Sequence, residues 1–152
     1  MSSFGIAGME AVSVAGIARR GDKLFIARRI PGGSLGGKWE FPGGKVEAGE
    51  GAEEALVREF QEEFSLSIEA GEELAQAAFV HHGVERKLRA YLVHFGSADP
   101  ADAVLSCHEE WKWAPLEEIE KLDFAPSDLK LLPALKTYLQ ANPQVHGLKT
   151  ST

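Results

Sequence analysis

Gly44-Lys45-Val46-Glu47-Ala48-Gly49-Glu50, followed after seven residues by Arg58-Glu59-Phe60-Gln61-Glu62-Glu63, decides how the chain is read. Glu59, Glu62 and Glu63 stand at i, i+3 and i+4, so a helix brings all three carboxylates onto one face within about one turn. Ala52, Leu56, Phe60 and Phe64 recur every fourth residue beside them, and this spacing predicts an amphipathic helix over 52–64. Like charges at i,i+4 destabilise an exposed helix by about 0.2–0.5 kcal/mol per pair, so the trio asks for a cation. Hard carboxylate oxygens suit magnesium, with manganese as the alternative. Magnesium leaves most of its positions to water and substrate phosphates, which directs the reading toward phosphate chemistry. A merely solvated acidic face is the competing explanation, and it leaves Gly44, Glu50 and Arg58 without a role.

Composition sets the frame for this helix. With 152 residues, 44% of them hydrophobic and 26% charged, the chain is the size of one domain that buries its own core. A net charge of −7 opposes binding to a nucleic-acid polymer or an anionic membrane surface. Cys107 is the one cysteine, which rules out an intrachain disulfide and fits a reducing compartment. No apolar run reaches the roughly 18 residues of a membrane span. Met1-Ser2-Ser3-Phe4-Gly5 lacks the charged and apolar regions of a signal peptide, so a soluble cytoplasmic protein is expected. A monomer and a homodimer suit the sequence equally.

Outward from the helix, residues 1–8 read as a frayed arm, 9–141 as one domain and 142–152 as a loose tail. Val12 to Ala18 and Lys23 to Arg28 read as strands around the turn residues Gly21-Asp22. The segment 31–37 is a glycine-rich loop, and Trp39 to Phe41 is short and extended. Leu74 to Val80 and Lys87 to Phe95 form a hairpin about His82-Gly83, and Trp111 to Trp113 is a later strand. A short helix opens at Pro115, and a longer one follows Pro126-Ser127-Asp128 through about Leu139, with Pro133 interrupting it.

Gly44, Glu50, Arg58, Glu59, Phe60, Glu62, Glu63 and Leu66 resemble the box of the Nudix hydrolases, many fixed positions at fixed spacing. Ser65 departs, standing where that box has a glycine that serves a left-handed helix exit. Gly37-Lys38-Trp39-Glu40-Phe41-Pro42-Gly43-Gly44-Lys45 resembles the MutT branch, whose members cleave nucleoside triphosphates to monophosphate and pyrophosphate. The resemblance, over roughly residues 10–140, implies an α/β/α sandwich with a mixed β-sheet. It implies metal binding by Glu59, Glu62, Glu63 and the Gly43 carbonyl, with Glu59 as general base and Arg58 as the residue that orients it. Arg29 and Lys45 match phosphate contacts, although a plain surface cation explains each nearly as well. MutT-like members often carry a further glutamate six residues before the tryptophan matching Trp113. Cys107 stands there, so Glu109 or Glu110 takes the role by a small shift, with Glu110 favoured, or the site works without it. Cys107 itself reads as a small core residue.

Substrate choice has to come from outside the box. Dinucleoside polyphosphate and ADP-ribose hydrolases of the family tend to show a tyrosine or a proline some way after it, and residues 67–90 contain neither. A nucleoside triphosphate is therefore expected, including an oxidised guanine or modified cytosine nucleotide. A nucleotide-sensing module and a nucleotide-sugar hydrolase are the alternatives. Asp128 resembles the residue set against the base edge, although a helix cap explains it equally well. Glu40, Phe41 and Phe79 complete the expected substrate-binding set. His81 and His82 sit near the presumed cleft and read as an exposed hairpin pair.

Overall fold

The computed structural model describes residues 11–144, so the arm expected over 1–8 and the tail beyond 144 lie outside the described residues. Strand β1 (Val12–Ile17) runs antiparallel to β5 (Gly43–Lys45) on one edge and parallel to β7 (Val84–His94) on the other. Strand β6 (Glu69–His81) closes this mixed sheet as the antiparallel partner of β7. The second sheet is antiparallel and centred on β3 (Lys23–Arg29). Strand β8 (His108–Pro115) covers one edge of β3, while β2 (Arg19–Arg20) and β4 (Trp39–Glu40) share the other.

The two-residue period of β3 divides the interior in two. Leu24 and Ile26 point into one core and Phe25 and Ala27 into the other. Helix α1 (Ala52–Phe64) covers the second core, where Phe60 and Phe64 meet Val14, Phe25, Tyr91 and Val93. Phe25 lies edge-on to Phe64 at 5.6 Å, and each such ring taken fully from water contributes about 1.5–3 kcal/mol. The first core is covered by α2 (Leu116–Ile119) and α4 (Leu132–Ala141), which set Ile119, Leu132 and Leu135 against Ile17, Ile26 and Leu88. The result is the expected α/β/α sandwich, with the strand layer divided between two sheets.

Helix α1 has the bounds the periodicity predicts. At its start the Gly51 N–H donates to Glu54 Oε1 at 2.7 Å, and at its end Ser65 takes φ 56° and ψ 36°. The Ser65 N–H then reaches the Gln61 carbonyl at 3.0 Å. This is the left-handed exit expected where the family box has glycine. The helix expected after Pro126 is divided into α3 (Pro126–Leu129) and α4, because Pro133 has no N–H to donate and sits in the first turn of α4, where none is needed. Strand β6 begins five residues earlier than its alternation suggested, since register shifts between Ala70 and Ala75 scramble the pattern there. Residues 142–144 are not loose: the Asn142 carbonyl accepts from Arg19 Nη1 at 2.6 Å, and Gln144 Oε1 accepts from the Gly21 N–H at 2.9 Å. No helix among the described residues is long and apolar enough to cross a membrane.

Ser65→Gly relieves the left-handed strain, so stability is expected to rise by about 1 kcal/mol. Urea unfolding of the two proteins checks this, and a Gly variant no more stable than the parent would refute it.

Candidate functional site

Arg58 organises the acidic helix. Its Nε and Nη2 grip Glu50 in a fork at 2.7 and 3.0 Å. Nη2 also donates to the Lys45 carbonyl at 3.0 Å, and Nη1 to Glu59 Oε2 at 3.2 Å and Glu62 Oε1 at 3.1 Å. One planar cation therefore ties the loop after β5 to α1 and aligns two of the three carboxylates. The hydrogen bond from Arg58, then that from the Glu47 N–H, lowers the Glu50 carboxyl to about 2. Gly44 completes this packing. A Cβ there would overlap the Glu59 carboxylate, and one at Gly43 would overlap the Val14 carbonyl, so only glycine admits the close approach.

The remaining members of the trio differ in exposure. Glu62 is exposed, whereas burial raises the Glu59 carboxyl above its usual range. Glu63 is buried, and burial followed by the nearby Glu40 and Glu59 charges lifts it to about 9. Its Oε1 is out of contact with water and has no hydrogen-bond partner among the described residues. Buried carboxylates that repel one another, one with an orphaned oxygen, are a donor set that a divalent cation would satisfy. Burial of Glu59 and Glu63 is what asks for a cation here, while Glu62 stays at the surface, paired with Arg58 at 3.1 Å.

Glu110 is not brought to this group. The register of β3 against β8 steps from Arg28↔Glu110 to Arg29↔His108, which leaves Glu109 as an extra residue in β8. The bulge changes the parity of the strand. Glu110 ion-pairs with Arg28 at 2.6 Å, as does Glu109. Arg28 in turn lies over the Trp39 ring, in the core away from α1. His108 takes the place toward α1 instead, stacked on Phe64 at 5.0 Å, with Nε2 2.8 Å from Glu40 Oε2. Cys107 is half-buried beside it rather than a core residue, its Sγ 3.4 Å from His108 Nδ1. Burial, then Glu63, pushes this thiol up to about 11.

An open cleft of about 590 Å³ is lined by Gly43 and Gly44, and all six expected substrate-binding residues line it as well. Phe41 does so from the core, where its ring meets Phe124 edge-on at 5.1 Å. Arg29 holds Glu40 at 3.2 Å. Asp128 caps neither α3 nor α4: its Oδ2 accepts from the Phe41 N–H at 2.9 Å. It reaches the cleft because the Trp39 and Ala125 N–H groups pair the 123–125 segment with β4. Burial, then Glu40, raises its carboxyl to about 7. Arg86, which donates to Ser13 Oγ at 3.3 Å, also lines the cleft, as do His81 and His82 of the hairpin. Only the alternation of the hairpin about Gly83 pointed to these residues.

The chain matches the NUDIX domain over residues 9–135. It is 33% identical over 134 residues to a CTP pyrophosphohydrolase of Escherichia coli strain K12, covering 86% of this chain and 94% of the relative. It is 30% identical over 122 residues to an 8-oxo-dGTP diphosphatase of Haemophilus influenzae, covering 80% and 88%. Among solved structures it is similar to the E. coli ORF135 protein, with a TM-score of 0.74, 31% identity and coverage of 91% and 98%.

Asp128 binds its proton more tightly in the folded chain than in the unfolded one. Its contribution to stability is therefore present in acid and is lost as pH rises from its ordinary 3.8 through about 7. Asp128→Asn keeps an acceptor for the Phe41 N–H but cannot ionise. Its melting temperature relative to the parent should rise across that interval, and a difference that stays flat with pH would refute the assignment.

Proposed function

The chain belongs to the Nudix hydrolase family, in its MutT-like branch, and from that premise we propose that it hydrolyses a nucleoside or deoxynucleoside triphosphate to the monophosphate and pyrophosphate. The observation that carries this reading is the junction at Gly43-Gly44. Gly44 packs against Glu59 of the acidic helix, and both glycines also line a cleft together with Arg29, Lys45, Phe79 and Asp128. The relatives that act on CTP and on 8-oxo-dGTP support a pyrimidine or an oxidised purine triphosphate as substrate.

A magnesium ion, or manganese in its place, held by Glu59, Glu62, Glu63 and the Gly43 carbonyl would neutralise phosphate charge and acidify a bound water. Arg58 fixes Glu59 through Oε2, and the Glu59 carboxylate would take the proton of the attacking water. Arg29 and Lys45 line the cleft and set positive charge against the phosphates. Asp128, near 7, offers the base edge both a carboxylate acceptor and a carboxylic acid donor at neutral pH. Phe79 supplies an apolar surface for the base.

A nucleotide panel with magnesium, assayed for pyrophosphate, tests this reading. Glu59→Gln should lower kcat by about 10²–10⁴-fold. Orthophosphate as product would remove the proposed cleavage position, and turnover confined to compounds with a blocked terminal phosphate would make the chain a nucleoside diphosphate-X hydrolase. Binding without any turnover would make it a sensor.

A further inference from the structure

Cys107 and His108 stand beside Glu63, where the family resemblance places a single glutamate, and they bring softer donors to its carboxylate. One ligand atom from each of Glu63, Cys107 and His108 falls within 4.8 Å of the others. The imidazole is prepared for a metal. Its side chain is fully buried and its Nε2 lies 2.8 Å from Glu40 Oε2. A carboxylate at Nε2 favours the tautomer with its proton there, which leaves the Nδ1 lone pair facing Cys107 Sγ at 3.4 Å. Metal-bound histidines are typically held this way, by a carboxylate on the ring nitrogen that does not bind the metal.

The surrounding backbone is equally fixed. Ser106 ties the segment to the end of α1, its N–H donating to the Glu63 carbonyl at 3.2 Å and its Oγ to the Glu62 carbonyl at 3.0 Å. The Cys107 carbonyl accepts from the Ile30 N–H at 3.1 Å, and the His108 ring rests against Phe64. Glu63 supplies an independent sign of a missing partner, because it is buried and its Oε1 has none among the described residues.

We propose that Glu63, Cys107 and His108 bind a borderline transition-metal dication, zinc by its ligand chemistry, with Glu40 holding the imidazole in place. Thiolate, imidazole and carboxylate together suit zinc, and three protein ligands leave a fourth position open. Magnesium makes no use of sulfur. The thiol proton passes to solvent as the sulfur–metal bond forms. The site shares only Glu63 with the magnesium set, so a zinc-class ion competes for that carboxylate instead of adding to it.

Cobalt(II) is the probe, because a cobalt–thiolate bond absorbs by charge transfer and Cys107 is the only cysteine able to make one. Titration of the untagged protein should raise this band to saturation at one equivalent. Zinc should abolish it at one equivalent, whereas a large excess of magnesium should leave it in place. Cys107→Ser, shown by circular dichroism to be folded, should lack the band. Glu40→Gln should weaken cobalt binding by about 10- to 100-fold. A folded parent protein without the band, or a band that magnesium removes as readily as zinc, overturns the proposal. Cobalt affinity untouched by Glu40→Gln overturns the assigned tautomer. None of these readings depends on turnover.

Discussion

The Arg58 guanidinium is the constraint on which the rest of the site depends. Without a cation among them, Glu50, Glu59 and Glu62 would repel one another across the loop and the helix. Arg58 meets this demand with a planar fork, two arms of which are fixed by Glu50. The geometry also explains the sequence spacing. Glu50 has to lie in the loop so that its carboxylate can grip the guanidinium from outside the helix. Gly44 has to lack a side chain so that Glu59 can lie down against the strand. The loop, the helix and the strand are thereby held as one unit, on a scaffold that already buries the apolar face of α1.

Much of this was legible in the sequence. The helix over 52–64 could be read to the residue, because apolar and acidic stripes at helical spacing leave only one phase that buries one and exposes the other. The left-handed turn at Ser65 was legible from the missing glycine. The cleft-lining residues were legible only through resemblance, since Arg29, Lys45 and Phe79 have no local pattern that separates them from surface cations or a core ring.

The bulge in β8 was not legible. An extra residue reverses the faces of a strand without altering composition, so Glu110 and His108, which share a parity in the sequence, end up on opposite sides of the sheet. Asp128 was ambiguous for a related reason. A residue following proline near a helix start fits a cap by local spacing, and only the pairing of 123–125 with β4 shows that its carboxylate is engaged by the Phe41 N–H, just past β4 and 87 positions away in the chain.

That long reach from the end of the domain has an evolutionary side. The acidic helix and its arginine come from one contiguous stretch, whereas Asp128 arrives at the cleft on a separate segment stitched to the edge of β4 by two backbone hydrogen bonds. Backbone pairing is indifferent to side chains. Mutations at 126–130 can therefore alter the lining of the cleft while the loop, the helix and their ion pairs stay in place, so the two parts of the molecule are free to diverge at different rates.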